Sequence, residues 1–254
     1  MRIDILTLFP EMFDGVMNAS MMWKAQAYGF LDLHLHQLRD WTMDRHRTAD
    51  DTPYGGGGGM VMRADIVVRA VEAVQAMSAS AAPVYGMSPQ GQLFSQEWAV
   101  RLSKVDRLIL VCGHYEGIDD RARQLAFTGE LSIGDYVLTG GELAAMVIAD
   151  AVVRQIPGVL GAEGGAERES LAEGILEGAH YTRPLEFRGL IVPEVLQGGN
   201  HAAIARWRRA DGLRRTWDNR PDLLRRARLT DEDKRLLAKF AADDAAALRR
   251  KTQG

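Results

Sequence analysis

The chain has 254 residues, 46% of them hydrophobic and 26% charged, with no apolar run near the roughly 18–20 residues that cross a bilayer, and Met1-Arg2-Ile3-Asp4-Ile5 runs directly into a strand pattern in place of a signal peptide. One cysteine, Cys112, excludes an internal disulfide and a cysteine-rich zinc site, so a soluble cytoplasmic protein of one large or two modest domains is expected. The net charge of −3 hides an asymmetry: from Asn200 onward there are 15 Lys and Arg against 8 Asp and Glu, and before it 16 against 26, which points to a polyanion for the C-terminal part or to a plain solvated helical surface.

Residues 3–9 alternate as a first strand, and Pro10 sits where proline opens a helix. Residues 31–36 alternate strictly, with Leu31, Leu33 and Leu35 on one face and Asp32, His34 and His36 on the other. Two histidines at i, i+2 suit a metal, but no third ligand is near in sequence, so a solvated face is expected. The run Gly55 to Gly59 is neither a Walker loop nor G-x-G-x-x-G; it reads as a loop whose bare backbone lies near a nucleotide, or as a linker, ahead of a helix over 64–77.

Three strand candidates follow, each ending in a small-residue loop. Residues 83–87 run into Ser88-Pro89-Gln90-Gly91, 108–112 into Gly113-His114-Tyr115-Glu116-Gly117, and Tyr136-Val137-Leu138 into Gly140-Gly141. With helices over 95–102 and 119–126 between them, the alternation predicts an α/β fold with a mostly parallel sheet covered on both faces and one shared cleft. Thr139 and Glu142 stand in capping-box relation, so a helix is expected from Leu143 to about Val152, ended by Pro157-Gly158. Residues 161–170 lack any hydrophobic period and read as a mobile linker. Residues 178–193 look irregular, and short helices are expected over 201–209, 222–227 and 231–249, the last capped by Thr230. The division is therefore 1–160 α/β, 161–175 linker and 176–254 mainly helical.

The motifs Phe9-Pro10-Glu11-Met12-Phe13, Pro53-Tyr54-Gly55-Gly56-Gly57, Ser88-Pro89-Gln90-Gly91, Tyr115-Glu116-Gly117-Ile118-Asp119, Ser132 to Glu142, Ile156-Pro157-Gly158-Val159-Leu160-Gly161, His180-Tyr181-Thr182-Arg183-Pro184 and Arg215-Thr216-Trp217 occur in order across nearly the whole chain. Together they resemble the bacterial tRNA (guanine-37-N1)-methyltransferase family. The resemblance implies a SPOUT-type domain with a deep trefoil knot, which the usual rule against knotted chains would have rejected, and an obligate homodimer with a composite active site. It implies S-adenosylmethionine in loops containing Ser88, Pro89, Gly91, Gly113, Tyr115, Glu116, Gly117, Ser132, Ile133, Gly134, Asp135, Tyr136, Val137, Leu138, Gly140 and Gly141, with Tyr85 and Leu138 against the adenine.

Methyl transfer from a sulfonium needs in-line approach and a base for guanine N1. The resemblance assigns the base to Glu169 and stabilisation of charge on the guanine oxygen to Arg154, with Glu116 either orienting Arg154 or helping to hold magnesium; it fixes no metal site. It places Gly57, Gly59, His114, Arg183, Arg208 and Arg215 toward tRNA, and no membrane or DNA partner. Arg206, Arg208, Arg209, Arg214 and Arg215, interleaved with Trp207 and Trp217, suit an anticodon stem-loop, although the tryptophans also suit the core of a small helical domain. This chain departs from the family pattern at Glu169, where Asp is usual, at His114, where Arg is common, and at Gly58, where Pro is frequent. Two other readings are a non-catalytic RNA-binding knotted dimer and methylation of another RNA site.

Overall fold

The computed structural model describes residues 1–161, 171 and 173–252. The chain divides into two compact units, Met1–Glu163 and Gly164–Gly254.

The first unit runs β1 (Arg2–Thr7), a 3-10 turn (Pro10–Phe13), α1 (Asp14–Met17), α2 (Ser20–Ala27), β2 (Asp32–Gln37), β3 (Asp50–Asp51), β4 (Val61–Met62), α3 (Ala64–Ala76), β5 (Val84–Leu93), α4 (Gln96–Leu102), β6 (Arg107–Cys112), α5 (Asp120–Ala126), β7 (Gly129–Ser132) and α6 (Glu142–Val153). Five strands form one sheet in the order β2-β1-β6-β5-β7, and every pairing in it is parallel. The central strands are buried on both faces, which explains their near-continuous apolar sequence. Ile3, Ile5, Leu108 and Leu110 face a layer containing Ile148, Ala149 and Val152 of α6. Leu6, Ile109 and Val111 face the opposite layer with Val67, Val71 and Val74 of α3.

Three local expectations change. His36 does not lie on a solvated face: its side chain is 12% exposed and its Nε2 stands 2.8 Å from Asp4 Oδ1. Tyr136-Val137-Leu138 is not a buried strand. The edge strand is β7, ending at Ser132, and those three side chains are exposed in the loop beyond it. The chain leaves the sheet through Gly134, at φ 153°, a conformation that favours glycine. Finally, Thr139 and Glu142 form no capping box; the N-cap of α6 is Gly141, without a side-chain cap, because the Glu142 side chain is drawn into the protein.

Residues 88–91 do not simply follow a strand. They lie within β5, where the pairing to β7 shifts register between Met87 and Gln92. A Cβ on Gly91 would lie 2.5 Å from the backbone of Glu130 and Leu131, so only glycine lets the two strands approach there.

In the second unit, the segment expected to be irregular holds a small antiparallel hairpin, β8 (Glu186–Phe187) and β9 (Leu190–Ile191). After α7 (Glu194–Gln197) comes α8 (His201–Asn219), twice the expected length. It starts at Asn200, whose side chain accepts from Ala203 N at 3.1 Å, and continues through Gly212, where a Cβ would fall 2.5 Å from the Leu176 carbonyl oxygen. The expected helix over 222–227 is a 3-10 turn, Leu223–Arg225. The helix α9 (Asp231–Thr252) begins with Thr230 accepting from Asp233 N at 3.2 Å while Asp233 accepts from Thr230 N at 2.8 Å. Among the described residues no helix is long and apolar enough to cross a membrane.

Candidate active site

The carboxyl ends of β6 and β7 and the displaced middle of β5 enclose a cavity of about 220 Å³. The sequence-predicted residues Ser88, Pro89, Gly113, Tyr115, Glu116, Gly117, Ser132, Ile133, Gly134, Tyr136, Val137, Leu138, Gly140 and Gly141 all line it. Tyr85 and Gly91 border a neighbouring cavity instead, where the Tyr85 ring meets Trp98 edge-on at 5.6 Å. Asp135 is exposed and lines neither cavity.

The walls are tied by backbone. Gly141 N donates to Gly113 O at 2.8 Å, and His114 and Gly140 form an antiparallel bridge. The glycine run joins the same wall, since Glu116 N donates to Met60 O at 3.0 Å and Met62 N donates to Gly117 O at 2.9 Å. Gly59, at φ +86°, has no room for a Cβ beside the Glu116 carboxylate, whereas Gly57 faces open space. Tyr115 holds a left-handed φ of 61°, the kind of backbone strain that concentrates at functional sites.

Among the lining residues that sequence reading missed, two are charged, Arg123 and Glu130, which pair at 2.5 Å. Glu130 was findable, because it stands two residues before Ser132 on β7 and so shares its face. Arg123 carried no such signal. Cys112, next to the cavity loop, is fully buried; burial first and the Glu142 carboxylate second push its thiol well above the usual range, so it stays protonated and unreactive.

His114, expected to face tRNA, also lines the cavity. Its side chain is 15% exposed, and its Nε2 lies 2.7 Å from Oε2 of Glu142, itself 1% exposed. Arg154 is the C-cap of α6 and does not line the cavity. The 12 residues of that helix place it about 18 Å from the Gly140-Gly141 turn. Glu169 lies outside the described residues.

In the second unit, Arg183, Arg208 and Arg215 are exposed. Arg215 is paired with Asp211 at 2.8 Å, Arg214 with Asp218 at 2.7 Å and Arg209 with Asp233 at 2.9 Å, so these three charges are partly satisfied within the unit. Trp217 is half-buried and donates its indole N–H to Asp244 of α9 at 2.9 Å, which makes it a packing residue between the two long helices. Trp207 lies 6.2 Å from the Tyr181 ring.

A parallel α/β sheet whose glycine-rich loops close a cleft beyond the carboxyl ends of its strands has the arrangement in which α/β proteins place their ligands. The family model described as tRNA (Guanine-1)-methyltransferase TrmD matches residues 1–226. The chain is 54% identical over 247 residues to the tRNA (guanine-N(1)-)-methyltransferase of Chloroflexus aggregans, covering 96% of each chain. It is 53% identical over 242 residues to that of Moorella thermoacetica, covering 95% of this chain and 97% of the relative, and 54% identical over 238 residues to that of Geobacter sulfurreducens, covering 94% and 97%. The chain belongs to the tRNA (guanine-N1)-methyltransferase family.

Proposed function

We propose that the protein moves the methyl group of S-adenosylmethionine to ring nitrogen 1 of the guanosine immediately 3′ of the tRNA anticodon, position 37, working in the cytoplasm as a knotted SPOUT-type homodimer. The observation that carries the reading is the coincidence of the glycine-walled cavity with 14 loop positions that the family resemblance assigns to the methyl donor. The cradle fits that donor. The short turns at Gly113, Gly140 and Gly141 bring backbone onto the cavity wall, while Ile133 and Leu138 offer apolar contact for an adenine.

When bound, S-adenosylmethionine supplies an electrophilic methyl on a sulfonium. The protein has then to place guanine in line with the breaking S–C bond and remove one proton. Glu169 takes that proton from N1 as the N–C bond forms, and Arg154 stabilises the negative charge that develops on the guanine oxygen. The location of Arg154, about 18 Å along α6 from its own cavity, supports a site completed by two subunits. The second unit takes the anticodon stem-loop; Arg206 and Arg208 are exposed there and have no ion-pair partner among the described residues.

Magnesium fits less well. Among the described residues no three His, Cys, Asp or Glu side chains converge, and at the cavity Glu130 is engaged by Arg123, leaving Glu116 as a single carboxylate.

The test is transfer of labelled methyl to a tRNA transcript with G immediately 3′ of the anticodon, beside the same transcript with A there. Labelling of the first alone supports the proposal. Equal labelling moves the target to another RNA site, and tRNA binding without labelling points to a non-catalytic RNA-binding dimer.

A further inference from the structure

We infer that Glu142 and His114 are positioning residues which, with Thr7, latch the two glycine loops of the cleft to the end of β1, and that His114 acts on the methyl donor's cradle and not on tRNA. This rests on the reading of the cavity as the S-adenosylmethionine site.

Glu142 lies at the first position of α6, where an acidic residue would ordinarily sit in solvent near the helix N-terminus. Here it is 1% exposed. A carboxylate so enclosed needs specific partners, and it has them. Thr7 Oγ1 donates to Oε1 at 2.6 Å, and His114 Nε2 meets Oε2 at 2.7 Å. The Thr7 hydroxyl has one proton, which is spent on Glu142, and its lone pair accepts from Phe9 N at 2.9 Å. The direction of the chain of hydrogen bonds is thereby set by the backbone that follows β1.

The His114 ring is held from its other side by Phe9, with ring centroids 4.8 Å apart. The pair also fills the space that a side chain at 140 would need: a Cβ on Gly140 would lie 2.3 Å from His114 Nε2 and 2.5 Å from Glu142 Oε2. The loop containing Gly113 and the turn Gly140-Gly141 therefore close against one partly buried pair, and both line the cleft. Removing the bond takes away the side-chain half of the tie and leaves the loops held by backbone alone, through Gly141 N to Gly113 O and the His114–Gly140 bridge. With its Nε2 on Glu142 and its ring against Phe9, this imidazole is committed within the protein and is not the permanent guanidinium charge that suits an RNA phosphate.

The experiment compares wild type, His114→Phe, which keeps a ring beside Phe9 but cannot bond Glu142, and His114→Gln, whose amide restores a donor at similar reach. Equilibrium binding of S-adenosylmethionine is measured by calorimetry, with steady-state kinetics for both substrates. His114→Phe is expected to weaken donor binding and raise its KM by about tenfold or more, as expected for a lost hydrogen bond to a buried carboxylate, with KM for tRNA within about twofold of wild type. His114→Gln returns most of the loss. Thr7→Val, which removes only the hydroxyl at the far side of the latch, shifts donor binding in the same direction and serves if His114→Phe does not fold. Wild-type donor affinity in both His114→Phe and Thr7→Val overturns the latch, as does a rise confined to KM for tRNA. A wild-type protein that binds the donor but methylates no tRNA defeats the functional reading while the binding comparison still judges the latch; one that binds no donor defeats both.

Discussion

The two ends of the central sheet each enclose a carboxylate, and they do so in opposite ways. At the amino end Asp4, in β1, is 0% exposed and touches three side chains from three strands, two guanidinium groups and an imidazole: Arg2 at 2.7 Å, His36 at 2.8 Å and Arg107 at 2.9 Å. At the carboxyl end Glu142 is equally enclosed but meets a single hydroxyl and a single imidazole. The first arrangement is redundant and welds β1, β2 and β6 together. The second has no spare partner and ties loops instead of strands. In a parallel α/β sheet the carboxyl end is where ligands bind, and there a less saturated network leaves loops adjustable.

The largest effect that would test this division is expected from Asp4→Ala. Arg107 is 2% exposed and would keep only backbone carbonyl partners, including Val74 O at 2.5 Å and Gln75 O at 3.1 Å. An uncompensated buried charge of this kind costs about 3–5 kcal/mol, read by urea unfolding. Affinity for S-adenosylmethionine should be unchanged in the folded fraction, and a change there would break the separation of the two ends. The same group sets an acid limit. Burial acts to raise the Asp4 pKa, but hydrogen bonds from His36, Arg2 and Arg107 outweigh it and hold the carboxyl well below the usual range. Its stabilisation is therefore complete above the unfolded value of about 3.9 and is lost as pH falls through the lower folded value. Unfolding free energy measured between about pH 5 and pH 2 should fall steeply for wild type and more gently for Asp4→Asn.

Gly141→Ala should show the reverse signature. A Cβ there would lie 2.8 Å from Cys112 Cα and 2.9 Å from Gly113 N, and backbone atoms yield little. Overpacking costs about 1–3 kcal/mol, and the cheapest relief is to push the turn into the cleft, so donor binding should drop by about tenfold or more. Unchanged donor affinity in a destabilised variant would mean that the turn does not shape the site.

How far this contrast could be read from sequence follows the range of the interactions involved. The parallel strands β1, β5 and β6 and the helices α3 and α6 were legible because their apolar periods are local and long. The cleft was legible because Gly113 and Gly117 follow the end of β6 and Gly140 and Gly141 precede the start of α6. Tyr136-Val137-Leu138 was misread as a strand because an apolar triplet has the same pattern whether it faces a core or lies exposed in a loop. Glu142 was misread as a cap because its true partners, Thr7 and His114, are 135 and 28 residues away. For the same reason nothing in the spacing joined His36 to Asp4, 32 residues earlier. Long-range side-chain pairing leaves no period in the chain.

Redundancy at the amino end gives the smallest predicted effect and the sharpest test of the comparison. His36→Leu removes one of three partners of Asp4 and leaves Arg2 and Arg107 in place. The carboxylate remains paired, so the loss should be near that of one hydrogen bond to a charged group, about 1.5 kcal/mol, against about 3–5 for Asp4→Ala. Combining His36→Leu with Asp4→Ala should then cost little more than Asp4→Ala alone, because the partner of the imidazole is already gone. A full additive loss in that double variant would show His36 to be stabilising the sheet through its packing against Trp41, whose ring lies 6.1 Å away, and the amino end would no longer count as one charge network.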